Sequence, residues 1–160
     1  DLKNFFELVN GLVRIKKRLH ILRSIKYHKV LIASDNREDY NFSKNISFVR
    51  PMGYFDMLKK QREHKIILNC NPNFDLCLHD RVSYSVSNGA IVLSDKNRLL
   101  DEISFPFSYR YSEMNYLDDK IDECLKMWDL IKEKQQACIK PFGCDYIISK
   151  IIDNYNKFKE

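Results

Sequence analysis

The stretch at residues 65–95, KIILNCNPNFDLCLHDRVSYSVSNGAIVLSD, decides the fold. Residues 65–69 form a short apolar run of strand length, closed by the polar loop around Asn71-Pro72-Asn73. His79-Asp80-Arg81 then opens a helix over residues 80–87. Asn88-Gly89 stops it, because glycine suits the left-handed position that ends many helices. Residues 90–94 make a second apolar strand. This order brings two strand ends and a helix N-terminus around one crevice, the place where open α/β sheets bind phosphorylated ligands.

Upstream, Leu2, Phe5, Phe6, Val9, Leu12, Val13, Leu19 and Leu22 recur at helical spacing, so residues 1–26 are expected to form one amphipathic helix, weakened at Gly11. Residues 29–34 read as a buried strand and 35–45 as a polar loop. A strand at 46–49 follows, then a turn at Pro51 and Gly53, then a helix at 54–64 with Phe55 and Leu58 facing inward. Downstream come a helical turn at 98–103 and an edge strand at 105–111. Pro106 has no amide proton to donate in a central strand. Leu117, Ile121, Leu125, Trp128 and Ile131 predict a helix with Asn115 as N-cap and Asp118 and Asp119 in its first turn. Pro141-Phe142-Gly143 breaks the chain before a last helix built on Ile147, Ile148, Ile151, Tyr155 and Phe158. Strands read as continuous apolar runs between helices. They imply a Rossmann-like α/β domain spanning 1–160, with one parallel sheet covered by helices on both faces.

The bulk properties agree with one domain. The 160 residues are 44% hydrophobic and 12% aromatic, enough for a packed core. Asp1 in place of Met suggests a piece of a longer polypeptide. No apolar run approaches the roughly 18 residues of a membrane helix. Cys70, Cys77, Cys124, Cys138 and Cys144 are odd in number and lack a CxxC pair, which favours reduced thiols and a cytoplasmic setting. A net charge of +5, with 27 basic and 22 acidic residues intermixed, suits an anionic ligand or simple solubility and falls short of a nucleic-acid signature.

The central stretch also resembles the donor-binding half of GT-B glycosyltransferases. In one branch a strand ending in L-N precedes a loop, an H-x-R helix start, a small-residue helix and G-A-x-V-L-[ST]. The corresponding residues are Leu68-Asn69, His79-Asp80-Arg81, Ser83 to Asn88, and Gly89-Ala90-Ile91-Val92-Leu93-Ser94. The resemblance covers roughly residues 45–135. It implies a GT-B C-terminal-domain type of fold that binds a nucleotide-diphosphate sugar without metal or other cofactor. It further implies an N-terminal acceptor-binding domain in the same chain and a residence in the cytoplasm, with peripheral contact at the inner membrane face. Many family members bind the nucleotide ribose through a Glu where this sequence has Tyr84. The retaining branch has a second Glu where this one has Leu76.

Each candidate residue has a bland explanation beside the functional one. Arg81 stands in the first helical turn, where the dipole alone favours an anion, so it either contacts phosphate or pairs with a nearby carboxylate such as Asp80. Asn69 and Asn71 offer amides to sugar or phosphate oxygens, or cap the strand end. His79 donates to a ligand or caps the helix. Asp80 is explained by capping alone. Tyr84 reaches ribose or base, or packs. Asn88 and Gly89 end the helix; in the ligand reading Gly89 gives the short turn that delivers the next strand, and Asn88, Ser94 and Asp95 form a second wall, with Asp95 otherwise merely solvated. The loop at 49–53 faces the base by analogy with the family.

Other chemistries are poorly served. There is no Asp-x-Asp, no G-x-G-x-x-G and no P-loop, and only four glycines occur. Cys70, Cys77 and His79 lack the paired spacing of a zinc site. The basic run from Arg14 to Arg23 reads as a solvated helix face, with a membrane or nucleic-acid surface as its rival. A non-catalytic binding or scaffold module on the same fold remains the main alternative to an enzyme.

Overall fold

A computed structural model describes residues 2–34, 42–71, 76 and 78–157. Helix α1 (Leu2–Ser24) leads into β1 (Val30–Ala33) and β2 (Ile46–Val49), which pair in parallel with Val30 opposite Ile46. After α2 (Tyr54–Arg62) come β3 (Ile66–Asn69), α3 (Asp80–Ser87), β4 (Ile91–Asp95), α4 (Arg98–Glu102) and β5 (Ser108–Tyr109). These strands form a second parallel sheet in the order β3-β4-β5, with Ile66 opposite Ile91 and Ser94 opposite Ser108. Helices α5 (Leu117–Lys126), α6 (Trp128–Ile139) and α7 (Cys144–Lys157) complete the chain. The α/β, Rossmann-like class read from the sequence is what folds. The parallel strands, however, divide into a pair and a triple rather than one ladder. Val30 still packs on the core that holds Ile66 and Leu68.

Alternation along β3 and β4 explains the layering, since successive side chains point to opposite faces. Ile66, Leu68, Ile91 and Leu93 pack with Ile21 and Ile25 at the end of α1 and with Leu117, Ile121 and Cys124 of α5. Ile67 and Val92 face the other way, onto Val82 and Val86 of α3, Leu100 of α4 and Phe105. Helices therefore cover both faces. Helix α6 belongs to both cores: Ile131 joins the first and Ile139 the second, eight residues along the same stripe. Midway between them, fully buried Gln135 meets the backbone of β4. Val92 N donates to its Oε1 at 2.8 Å, and its Nε2 donates to Val92 O at 2.8 Å and Pro106 O at 3.0 Å.

That clamp accounts for the first departure from expectation. The edge strand expected over 105–111 shrinks to Ser108–Tyr109. Ser104 and Phe107 adopt left-handed backbone (φ 51° and 58°), which an extended strand cannot contain, and Gln135 occupies the bonding positions instead. The helix expected through 117–131 is two helices, broken at Met127 (φ −109°, ψ 26°). Tyr116, not Asn115, stands at its N-cap and makes no side-chain capping bond. Asn115 lies in a 3-10 turn over Tyr111–Tyr116.

Phe55 points outward, 75% exposed, and Tyr54 beside it meets Tyr84 edge-to-face at 5.5 Å. Much of α1 and α7 also keeps apolar side chains in solvent, including Phe5, Phe6, Leu12, Ile148 and Ile151. At the other end of β3, Trp128 Nε1 donates to Lys65 O at 3.3 Å, with Lys132 Nζ 4.7 Å over the ring.

Candidate functional site

The C-terminal ends of β3 and β4 lie side by side, and the polar residues there are all but sealed. Asn69, Asn71, Ser94 and Asp95 are buried. Asn69 Nδ2 donates to Asn71 Oδ1 at 3.0 Å and Ser94 Oγ at 2.9 Å. Asn71 Nδ2 donates to Asp95 O at 2.6 Å, and Asn71 N donates to Asp95 Oδ1 at 2.6 Å. The Tyr109 hydroxyl donates to Asn69 O at 3.2 Å; burial, reinforced by the charge of Asp95, raises its pKa well above that of free tyrosine. These bonds hold the two strand ends in register and fix the exit angle of the loop after β3. They also use up most of the polar capacity expected to meet a ligand, leaving Asn69 Oδ1 buried with no hydrogen bond. The second carboxylate oxygen of Asp95 is ion-paired with Lys17 of α1.

The loop leads to α3, whose N-cap is His79. Its Nδ1 accepts from Arg81 N at 3.1 Å, satisfying one of the free amides of the first turn. Asp80 Oδ1 accepts from the same amide at 2.7 Å and approaches His79 Nδ1 at 2.6 Å. A charged imidazolium would turn that second approach into an ion pair but would forfeit the cap. Burial, followed by the charge of Arg81, lowers the His79 pKa and so favours the neutral ring, while Asp80 opposes the shift.

A depressed pKa means that the folded chain binds fewer protons than the unfolded one. The stability His79 contributes is therefore complete above its ordinary value of about 6.5 and is lost as pH falls through the lower folded value. In an NMR titration the His79 ring is expected to show a midpoint below about 6.5, and a midpoint at or above it would rule out the neutral cap.

Arg81 is half-buried. Burial and then the charge of Arg18 disfavour its cation, while Asp80 favours it. A guanidinium stays charged under such pressure, so the site carries a partly desolvated cation. Among the described residues no carboxylate forms an ion pair with the Arg81 side chain, so pairing with Asp80 does not explain it. The Cys70 thiol, at the end of β3, is raised by burial first and then by Asp95, which argues against a thiolate nucleophile. Among the described residues no group of three His, Cys, Asp or Glu is placed to hold a metal ion.

The structure thus gathers Asn69, Asn71, His79, Asp80, Arg81, Ser94 and Asp95 at one end of the sheet. Tyr84 is one turn further along α3, 41% exposed and edge-to-face with Tyr54. Asn88 and Gly89 stand apart. They end α3 about 12 Å from its start by helix rise, with Asn88 Oδ1 accepting from Arg62 Nε at 3.3 Å. Gly89 has φ 86°, as a left-handed cap requires. Residues 72–75 and 77, which include Asn73, lie outside the described residues. So does most of the loop expected at 35–45.

One residue that the sequence reading left out belongs here, Lys17, whose ion pair with Asp95 brings α1 to the end of the sheet. Its helical spacing from Arg14 and from buried Ile21 places it on the inward side of α1, but nothing in the basic run singles it out.

Two open cavities lie outside this cluster. One of about 650 Å³ is lined by Lys96, Asn97, Arg98, Asp101 and Glu102, and one of about 540 Å³ lies between the end of α1 and the turn before α5. No helix among the described residues is long and apolar enough to cross a membrane. Comparisons with protein families, with curated proteins and with solved structures each return no match.

Proposed function

We propose that this chain is the donor-binding domain of a GT-B glycosyltransferase, holding a nucleotide-diphosphate sugar for metal-independent transfer. One observation carries the reading. A half-buried guanidinium without a carboxylate partner among the described residues, Arg81, stands on the first turn of α3 beside the ends of two parallel strands. That is where amide dipoles and a cation together stabilise a leaving diphosphate without a metal ion. The exposed Tyr54–Tyr84 pair offers an aromatic surface to the nucleoside. The acceptor enters from an N-terminal domain of the same polypeptide, working in the cytoplasm and, through the basic face of α1, at the inner membrane surface.

The test is a calorimetric titration with UDP and GDP. Arg81→Ala is expected to weaken nucleoside-diphosphate binding by roughly 1.5–3 kcal/mol, the worth of a charge-assisted hydrogen bond, or about 10- to 150-fold. Unchanged affinity in that variant would remove the proposal.

A second reading has its own support. Asn69, Asn71, Ser94 and Asp95 are bonded mainly to one another and to Lys17, and the position of the family's ribose carboxylate is held by Tyr84. A non-catalytic binding or scaffold module on the same fold fits that arrangement. It predicts no thermal stabilisation by any nucleoside diphosphate.

A further inference from the structure

We infer that α1 docks on an anionic lipid bilayer, with its solvent-facing apolar side chains inserted at the interface and its basic end on the headgroups. The inference gives the membrane contact named above a definite surface, and it stands or falls separately from donor binding.

The orientation of the helix is fixed near its C-terminal end. Ile21 and Ile25 are buried in one core with Leu117 and Ile121 of α5, and Lys17 is ion-paired with Asp95. Traced back at 3.6 residues per turn, that inward side runs through Arg14, Asn10 and Glu7. Phe5, Val9 and Leu12 fall on the opposite side, and Lys16 and Arg23 continue the same line. Over its first half the helix is therefore polar on the side that later meets the core and apolar on the other. A helix that merely covers a sheet has the reverse pattern. Phe5, Phe6, Leu8, Leu12, Val13 and Ile15 are all exposed, and the Phe5 and Phe6 rings meet edge-to-face at 6.0 Å. A run of exposed apolar side chains on one element marks an interaction surface.

Charge selects the partner. Lys3, Arg14, Lys16, Lys17, Arg18 and Arg23 stand against the single acid Glu7 in α1, so this helix alone accounts for the chain's net +5 and the remaining residues sum to zero. Asp118 and Asp122 of α5 are engaged past the end of α1, by Lys26 N at 2.7 Å and by His28 Nε2 at 3.2 Å, which leaves the outward line basic. A second copy packed face to face would set this positive helix against itself, and a polyanion such as RNA would leave the apolar stripe in water. An anionic bilayer satisfies both: the acyl boundary receives Phe5 and Leu12, and the headgroup phosphates meet Lys16 and Arg23.

The experiment floats the full chain, without nucleotide, on vesicles of phosphatidylcholine with and without phosphatidylserine. Wild type is expected to bind the phosphatidylserine vesicles far more tightly and to be released by high salt. Phe5→Ser/Leu12→Ser should weaken binding about 100-fold and Lys16→Ala/Arg23→Ala about 30-fold. The control Lys59→Ala/Lys134→Ala removes two exposed charges from α2 and α6 and should bind as wild type. All these positions are exposed, so melting temperatures should stay unchanged.

No binding to either vesicle, or an apolar variant that binds as wild type, overturns the inference. So does an equal loss in the control, which would make the effect general surface charge. A wild-type dimer in sedimentation that Phe5→Ser/Leu12→Ser dissociates also overturns it, since the face then belongs to a second copy. Arg81→Ala should bind vesicles as wild type, so failure here leaves the donor reading to the nucleotide titration alone.

Discussion

Replacing Gln135 with alanine is expected to lower the unfolding free energy by roughly 3–5 kcal/mol, read as a drop in the urea midpoint at constant slope. The Gln135 amide is completely buried and makes three bonds of 2.8–3.0 Å to the backbone of Val92 and Pro106. Truncation leaves one amide and two carbonyl groups without partners in a dry interior and opens a cavity between the two cores. Gln135→Leu fills the volume yet still strands those groups, so it should recover only a minor part. Gln135→Glu keeps an acceptor for Val92 N but loses both donors and buries a carboxylate, and it should be no better than alanine. A loss below about 1 kcal/mol in the alanine variant would show that the clamp is not what holds α6 to the sheet edge.

Asp95→Ala should cost about 3 kcal/mol, the lower end of what breaking a buried ion pair costs, because Lys17 retains some contact with water. The change removes both the acceptor for Asn71 N and the counter-charge for Lys17. Asp95→Asn can still accept from Asn71 N and should lose about half as much, since a charge-assisted bond is roughly twice a neutral one. The pair of variants also separates two roles for this residue. If Asp95 chiefly ties α1 to β4, stability falls and nucleotide affinity follows only as far as the fold loosens. Affinity lost in Asp95→Asn with the urea midpoint unchanged would instead make it a ligand contact.

Much of the fold could be read from the chain because its signals are local. The apolar runs at 66–69 and 91–95, the His79 cap and the Asn88-Gly89 stop each follow from residues within a few positions of one another. What could not be read depends on partners distant in sequence. Gln135 looks like an ordinary polar position on α6, and only its meeting with Val92, 43 residues away, makes it part of the sheet. The shortening of β5 follows from the same encounter. Phe55 was expected inside because its spacing suits a buried stripe. The neighbouring helix α3 instead presents Tyr84 to Tyr54, and Phe55, touched edge-on by the Tyr54 ring, stays 75% exposed.

The site divides in the same way. Arg81, His79 and Asp80 were legible from their place at a helix start. The contribution of α1 was not, because a run of basic residues gives no hint of which one turns toward the sheet. Lys17 and Arg18 are neighbours, yet Lys17 is engaged by Asp95 while Arg18 stays exposed.

The position of Trp128 has a practical consequence. It is the sole tryptophan of the chain, and its indole is tied to the start of β3, about 13 Å along the strand from Asn69. Its fluorescence will therefore report the melting of the three-stranded sheet while staying nearly silent to events beside Arg81. A single optical signal can thus follow folding in the presence of any nucleotide, and a shift in its transition midpoint measures occupancy by mass action alone.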